Sequence, residues 1–406
     1  MAKKKEKRPA SGYKKTVLIM IFLIIILCLP ALSPHLCDLY TDNVYGILCD
    51  TVSRFTGFFP IALGEILMYI GVFLLLAAVL FLLLLLFLHR KAGYHRFCKT
   101  YFKTFSIIIL AVILIYIPTW FIPFNCTVLG RGDAELRTDF TYDEVYALLQ
   151  FFAEEANAAA EEIYIAEDGS VEFYPSEQIG ALAAEAMQNL GSEYGRLKGY
   201  YPPIKNAICS DILERMMIGG YNYPYTLEPT RNRYLSPLYQ FSLDAHEYAH
   251  HKGYEKENEA NFLSQLALSK SSDPYLRLSG FYEMYNYIYP AYVDARDELI
   301  DKLVESGKVI LPEKLDKENF TEFMEQVVVY TGREPDLSDR VIQICDAGNN
   351  IERELYNADE HVIDEMPAVN DLIVDTADQG WEIQGELLQE NSYDGVVLLL
   401  LQYYFE

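Results

Sequence analysis

Basic residues are scarce in this chain: 33 Lys and Arg stand against 58 Asp and Glu, a formal net charge of −25 at pH 7. Nucleic-acid binding needs a basic stripe or patch, and the lysines and arginines that do cluster all flank apolar runs near the N-terminus, so that class is excluded. The acidic excess reads as solubility rather than as a binding surface. The seven cysteines follow no metal-type spacing. Three of them, Cys126, Cys209 and Cys345, fall in the long C-terminal part; that odd number is not a disulfide scaffold, although Cys37 and Cys49 share one loop and are a candidate pair. Ionisable residues are nearly missing from the long apolar runs, which argues against a channel or transporter. The exception, Glu65, is close to the end of its run and is expected to reach lipid headgroups.

The apolar residues themselves are concentrated in the first third of the chain. After the basic stretch Lys3, Lys4, Lys5, Lys7, Arg8, Lys14 and Lys15, an apolar run extends over 16–33, followed by runs over 58–88 and 106–124. A cleaved signal peptide is the competing reading of the first run, but its apolar core is long and Pro34 follows the small-residue site. Three transmembrane helices are therefore expected, each run being able to cross a hydrocarbon layer of about 30 Å. Arg90, Lys91, Arg96, Lys99 and Lys103 lie between the second and third runs, whereas the first loop carries Asp38, Asp42 and Asp50 against Arg54. Positive residues stay on the cytoplasmic side. The expected organisation is thus a cytoplasmic tail over 1–15, a membrane domain over 16–124, and an outer domain over 125–406, in a multi-pass protein with its N-terminus inside.

The outer part reads as mainly α with a small β edge. Thr141 and Glu144 form a capping box that opens a helix reaching about Ile163. Ser176 is expected to cap a second helix that stops before Gly191. Tyr221, Tyr223 and Tyr225 alternate as a strand edge does, which could pair with an extended peptide, although a half-buried hairpin explains the same pattern. Asp273 and Pro274 start another helix, with a core stripe of Phe281, Tyr282, Tyr285 and Tyr289 and a kink expected at Pro290. Further helices are expected over 296–304, 317–329 and 337–355, and the apolar stretch 393–405, too short to cross a bilayer, reads as a buried closing helix.

Ser236 as cap, Pro237 at the first helical position and Gly253 as a left-handed terminator delimit one helix, and a second begins near Glu255. The first carries His246-Glu247-x-x-His250. Residues four apart share a helix face, so His246 and His250 can bring their imidazoles to one Zn2+ ion at about 2.0–2.1 Å. Glu247 then stands beside an open position as general base for a water whose pKa the ion lowers to about 7. A third ligand must come from the acidic residues just downstream: Glu257 ranks first, Glu259 second and Glu255 third. Asn261 shares the face of Glu257 and is placed to hydrogen-bond a ligand. His251 lies on another face and is expected in solvent, and His361 is isolated. Tyr221, Tyr223, Tyr225, Arg277 and Tyr282 are candidates for stabilising an oxyanion, and the pattern does not choose among them.

Glu257-Asn-Glu259-Ala260-Asn261 resembles the Glu-x-x-Ala-Asp/Asn box of gluzincin-type metallopeptidases. The resemblance implies that the first glutamate of the box, Glu257, is the third zinc ligand. The gap after His250 is shorter than in better-known members, and Asn261 stands where many have aspartate. Nearly the whole chain also resembles an uncharacterised bacterial membrane-protein family, the domain-of-unknown-function family numbered thirty-eight ten. The matching stretches are Thr56-Gly-Phe-Phe-Pro60, Gly219-Gly-Tyr-Asn-Tyr-Pro-Tyr-Thr226, the His-Glu-Tyr-Ala-His run, Asp273-Pro-Tyr275 and Ser392-Tyr-Asp-Gly-Val396. The expected function is a zincin-like metallopeptidase in the bacterial cytoplasmic membrane, hydrolysing a peptide or envelope protein outside it. The alternative is a zinc-containing envelope sensor without catalysis. The substrate and the oligomeric state are not legible in the sequence.

Overall fold

The computed structural model describes residues 12–129, 137–312, 317–388 and 392–405. The basic residues Lys3 to Arg8 of the expected cytoplasmic tail lie outside them.

The architecture is mainly helical. At the N-terminal end, α1 (Gly12–Leu27), α2 (Pro34–Tyr40), α3 (Gly46–Thr56), α4 (Leu63–Leu88), α5 (Ala92–Tyr116) and the short α6 (Ile122–Phe124) follow one another. Among the described residues two helices are long and apolar enough to cross a membrane, Leu63–Leu88 and the continuous stretch Ala92–Phe124. The expectation of three such helices is corrected for the first run. Among the described residues it forms a helix of 16 residues, about 24 Å at 1.5 Å per residue, and then breaks into a tight 3-10 turn over Leu29–Leu32 that contains Pro30. The third run is not a separate helix over 106–124, because the preceding basic segment is already helical from Ala92. The second starts at Leu63 because Pro60 precedes it and Leu63 and Gly64 donate their backbone N–H groups to Glu228.

The rest of the chain packs around one helix. Next come α7 (Tyr142–Glu161), α8 (Ser176–Leu190), β1 (Lys205–Asn206), α9 (Ser210–Arg215), β2 (Gly220–Tyr223), β3 (Glu228–Arg231) and α10 (Pro237–His251). After these are α11 (Glu257–Ser269), α12 (Pro274–Glu305), α13 (Lys317–Thr331), α14 (Asp339–Asn357), α15 (Pro367–Leu388) and α16 (Ser392–Phe405). The capping box at Thr141 and Glu144 is present, as are the Ser236 and Asp273 caps. Ser176 is the first helical residue of α8 rather than its cap, a place taken by Pro175. The aromatic stripe belongs to one helix of 32 residues that runs on through Pro290 and absorbs the expected 296–304 segment. Leu148, Phe152, Ile179, Phe241, Leu263, Phe281 and Ile288 form a single apolar core, closed by Val396, Val397 and Leu400 of α16.

The sheet has the order β1-β3-β2, with β1 parallel and β2 antiparallel to the central, fully buried β3. This sheet clamps the N-terminal end of α4. Besides the two backbone donors of α4, Glu228 receives an ion pair from Lys205, whose ammonium also donates to the carbonyls of Thr56 and Ile61 at 2.8 and 2.9 Å. Glu65 is fully buried and accepts from the backbone N–H groups of Ile208 and Cys209 at 2.7 and 2.6 Å. Its expected place among headgroups is therefore corrected: the start of α9 supplies donors that water would otherwise provide. The first loop docks on the same body, since Asp38 and Asp42 pair with Arg196 and Asp50 with Lys252. Cys37 and Cys49 are both free, in separate clusters.

Candidate metal centre

Buried helix α10 owes its position to its two ends. The Ser236 hydroxyl accepts from the Tyr239 N–H, with Pro237 at the first helical position. At the other end Gly253 adopts φ +85°, and a Cβ there would approach Thr41 Cγ2 to 3.0 Å and Tyr45 Cε1 to 3.1 Å. Only glycine takes that left-handed turn against such a wall without strain. The reversal brings Glu257, the first residue of α11, back over the histidines.

Three side chains converge there. Glu257 Oε2 lies 3.1 Å from His246 Nε2, and Glu257 Oε1 lies 3.6 Å from His250 Nε2. The ligand atoms of all three residues fall within 4.8 Å of one another. Two ligand atoms about 2.05 Å from a tetrahedral centre stand about 3.3 Å apart, so the observed separations bracket the spacing a zinc ion needs. Each imidazole is fixed through its other nitrogen: His246 Nδ1 is 2.8 Å from Asn261 Oδ1, and His250 Nδ1 is 2.8 Å from the Tyr254 carbonyl. Both oxygens are acceptors, which puts a ring proton on each Nδ1 and leaves each Nε2 facing Glu257.

The electrostatics of the cluster are those of buried acids packed around two imidazoles. Burial pushes the Glu247 carboxyl up to about 7 against the pull of His250 and His246, and burial likewise raises Glu255 to about 8. Desolvation opposes charge on His250, but Glu257 overrides it and lifts the imidazole to about 10. Glu257, disfavoured by desolvation, is in turn held well below the usual carboxylate range by His250 and His246. Its side chain keeps 40% of its surface exposed, so the carboxylate faces the histidines from a partly open side. Glu247 Oε2 and Glu255 Oε1 are buried with no hydrogen-bond partner. Two nitrogen donors, one carboxylate and two orphaned buried carboxylate oxygens beside them fit a divalent cation and its water.

The other sequence candidates separate from this cluster. Glu259 turns away and accepts from the Leu129 N–H at 2.7 Å. Arg277 donates to the Ser271 and Ser272 carbonyls and to Glu162, and Tyr282 has Cys345 and Asn286 as neighbours. Strand β2 does reach the site: a Cβ at Gly220 would lie 3.1 Å from Glu247 Oε1. The expectation of a solvated His251 is corrected. It is fully buried, with Nε2 3.3 Å from Cys49 Sγ and its carbonyl accepting from the Tyr45 hydroxyl at 3.1 Å. Burial lowers its pKa to about 3, assisted by the Lys252 charge. His361 is bound by Asp211 and the Tyr356 carbonyl.

Sequence reasoning missed the pair Asp244 and Arg231. Asp244, fully buried, receives an ion pair from Arg231 of β3, which ties the sheet to α10 immediately before His246. A carboxylate on the buried face of a helix demands such a partner, and an arginine in the preceding strand was the available signal.

The family model described as "Protein of unknown function (DUF3810)" matches residues 40–340. No curated protein and no solved structure matches the chain.

Proposed function

The chain belongs to that family of unknown function, and from this premise we propose that it is a membrane-anchored, zinc-dependent peptidase of zincin-like design. The observation that carries the reading is the convergence of His246, His250 and Glu257 with Glu247 on the same helix, its carboxylate buried and half unsatisfied. His246, His250 and Glu257 would hold the ion, and Asn261 and the Tyr254 carbonyl would orient the two imidazoles. A bound zinc ion supplies Lewis acidity, polarising a carbonyl and acidifying a water. Glu247 takes the proton from the attacking water and delivers it to the leaving amine, a role suited to a carboxyl whose burial brings its pKa near neutrality. An extended substrate can add to the free edge of β2, which pairs only with β3 among the described residues, and this places its backbone along Glu247. Of the oxyanion candidates near this strand, Tyr221 and Tyr223 project from the face opposite Gly220, toward Glu65 and Gly64, and Tyr225 packs on Tyr116.

The reading also assigns sides. α4 and α5 form a hairpin with Arg90, Lys91, Arg96 and Lys99 near its turn, the pattern of a cytoplasmic end. The segment 34–62 packs on the catalytic body, so both belong to the opposite, extracytoplasmic face. α1 lies along α5, with Tyr13 Oη 2.8 Å from Ser106 Oγ.

The test is metal analysis and peptide hydrolysis on the purified full-length chain in detergent. Stoichiometric zinc and loss of hydrolysis in Glu247→Gln are expected; equal hydrolysis by that variant sinks the mechanism. Glu255 gives a second reading its footing. If its orphaned carboxylate fills the fourth position, the ion is closed off as in structural sites, and the domain is a sensor that binds an envelope component.

A further inference from the structure

The base and the membrane helix are held by the same four-residue strand. At one end of β2, a Cβ on Gly220 would come within 3.1 Å of Glu247 Oε1; at the other, Tyr223 presses so closely on Gly64 that a Cβ there would overlap its ring. Gly64 is the second residue of α4. The three steps from Gly220 to Tyr223 cover about 10 Å. The 26 residues of α4 measure about 39 Å, more than the hydrocarbon layer of about 30 Å, so Gly64 sits at headgroup depth. Glu247 is therefore no more than about 10–15 Å above the bilayer surface. Three buried charges lock that height: Glu228 accepts from the Gly64 N–H, Glu65 accepts from the Cys209 N–H, and Lys205 donates to the Thr56 carbonyl.

A continuous row of rings connects the two levels. Phe124 stacks on Trp120 at 4.7 Å and Trp120 on Tyr116 at 5.2 Å, all at the outer end of the second long apolar stretch. Tyr116 meets Tyr225 at 6.4 Å, Tyr225 meets Tyr223 at 5.4 Å, and Tyr223 meets Tyr221 at 6.4 Å. All six of these residues are half-buried. Tyrosine and tryptophan suit the boundary between hydrocarbon and water, and here they continue from that boundary onto β2, whose outer edge is unpaired among the described residues.

We infer that the substrate is a membrane-anchored polypeptide, taken in extended form along this aromatic row and cut within its first few residues outside the bilayer. An extended chain covers about 3.3–3.6 Å per residue, so the height of Glu247 corresponds to about three to five residues beyond the membrane helix. The inference rests on the peptidase reading for its cleavage step and on the aromatic row for its binding step, and the two are separable.

The full-length protein in lipid nanodiscs is given a peptide with one apolar membrane helix and an outer tail of about 30 residues, about 100 Å when extended, repeating a single cleavable sequence. Mass spectrometry maps the cuts made by the wild type. A photoreactive residue replacing Tyr225 in Glu247→Gln protein maps captured positions on the same tail without catalysis. Cuts and captures should both concentrate within about six residues of the membrane helix. The free tail at equal concentration should be captured at least about tenfold less, as tethering raises effective concentration. Captures confined to that zone with no cuts anywhere would remove the peptidase reading and leave the binding surface standing. Captures spread along the tail, or absent, overturn the inference even where cleavage persists.

Discussion

Asn261 Oδ1 lies 2.8 Å from His246 Nδ1, joining two helices across fifteen residues of sequence. The amide oxygen can only accept, so it selects the tautomer that leaves His246 Nε2 free for a cation. Removing such an outer partner typically lowers metal affinity about 10–100-fold. Asn261→Ala should do so with the fold intact, while Asn261→Asp, which keeps an acceptor, should stay within a fewfold of the wild type. Competition with a zinc chelator measures both.

Metal binding should release a proton. In the metal-free site His250 is raised to about 10, chiefly because Glu257 overrides its desolvation, so at neutral pH it is protonated and must lose that proton to coordinate. Affinity should accordingly rise about tenfold per pH unit between about pH 6 and about pH 8. Titration calorimetry in buffers of different ionisation enthalpy reads the proton directly. In Glu257→Gln the charge that raises His250 is gone, and the proton release should shrink along with affinity.

The parts of this site that local chemistry specifies were legible in the sequence. Ser236, Pro237 and Gly253 delimit α10 through groups within a few residues of one another, and the short reversal after Gly253 made Glu257 the nearest acidic group able to return. What lay beyond reach depends on partners far along the chain. His251 looked like a solvated residue because its wall is α3, about two hundred residues earlier. Glu65 looked like a residue for headgroups because its donors come from the start of α9. The run over 16–33 looked like a full span because apolar composition does not register that Pro30 falls in a 3-10 turn.

Buried His251 makes the fold sensitive to acid. Its folded-state pKa is lowered to about 3 by burial and the Lys252 charge, against about 6.5 in an unfolded chain. A base depressed in the folded state contributes stability that is complete above the unfolded value and lost as pH falls toward the folded one. The loss should approach about 1.4 kcal/mol per pH unit below about pH 6. Because the raised carboxyls of Glu247 and Glu255 contribute with the opposite sign over the same range, that slope should appear as the difference between wild type and His251→Gln in thermal unfolding of the detergent-solubilised proteins between about pH 7.5 and about pH 5. His251→Gln should unfold earlier at neutral pH but lose less stability in acid.

Gly220 is where strand, base and substrate edge meet. An added Cβ would stand 2.7 Å from the Thr230 carbonyl, 3.1 Å from Glu247 Oε1 and 3.2 Å from Glu247 Cγ. The backbone contact is closer than a Cβ tolerates, so β2 must shift against β3, and the carboxylate of Glu247, at 3.1 Å from the new methyl group, is displaced as well. Gly220→Ala should leave the three metal ligands in place, since the three atoms nearest the new methyl group belong to Thr230 and Glu247. It should lower the turnover of a peptide substrate toward the loss of about 10²–10⁴-fold expected when a general base is misplaced. Zinc content within about 20% of wild type together with that loss would locate the defect in Glu247. A parallel loss of zinc would instead mean that β2 supports the ligand cluster as a whole, through the packing of the sheet on α10.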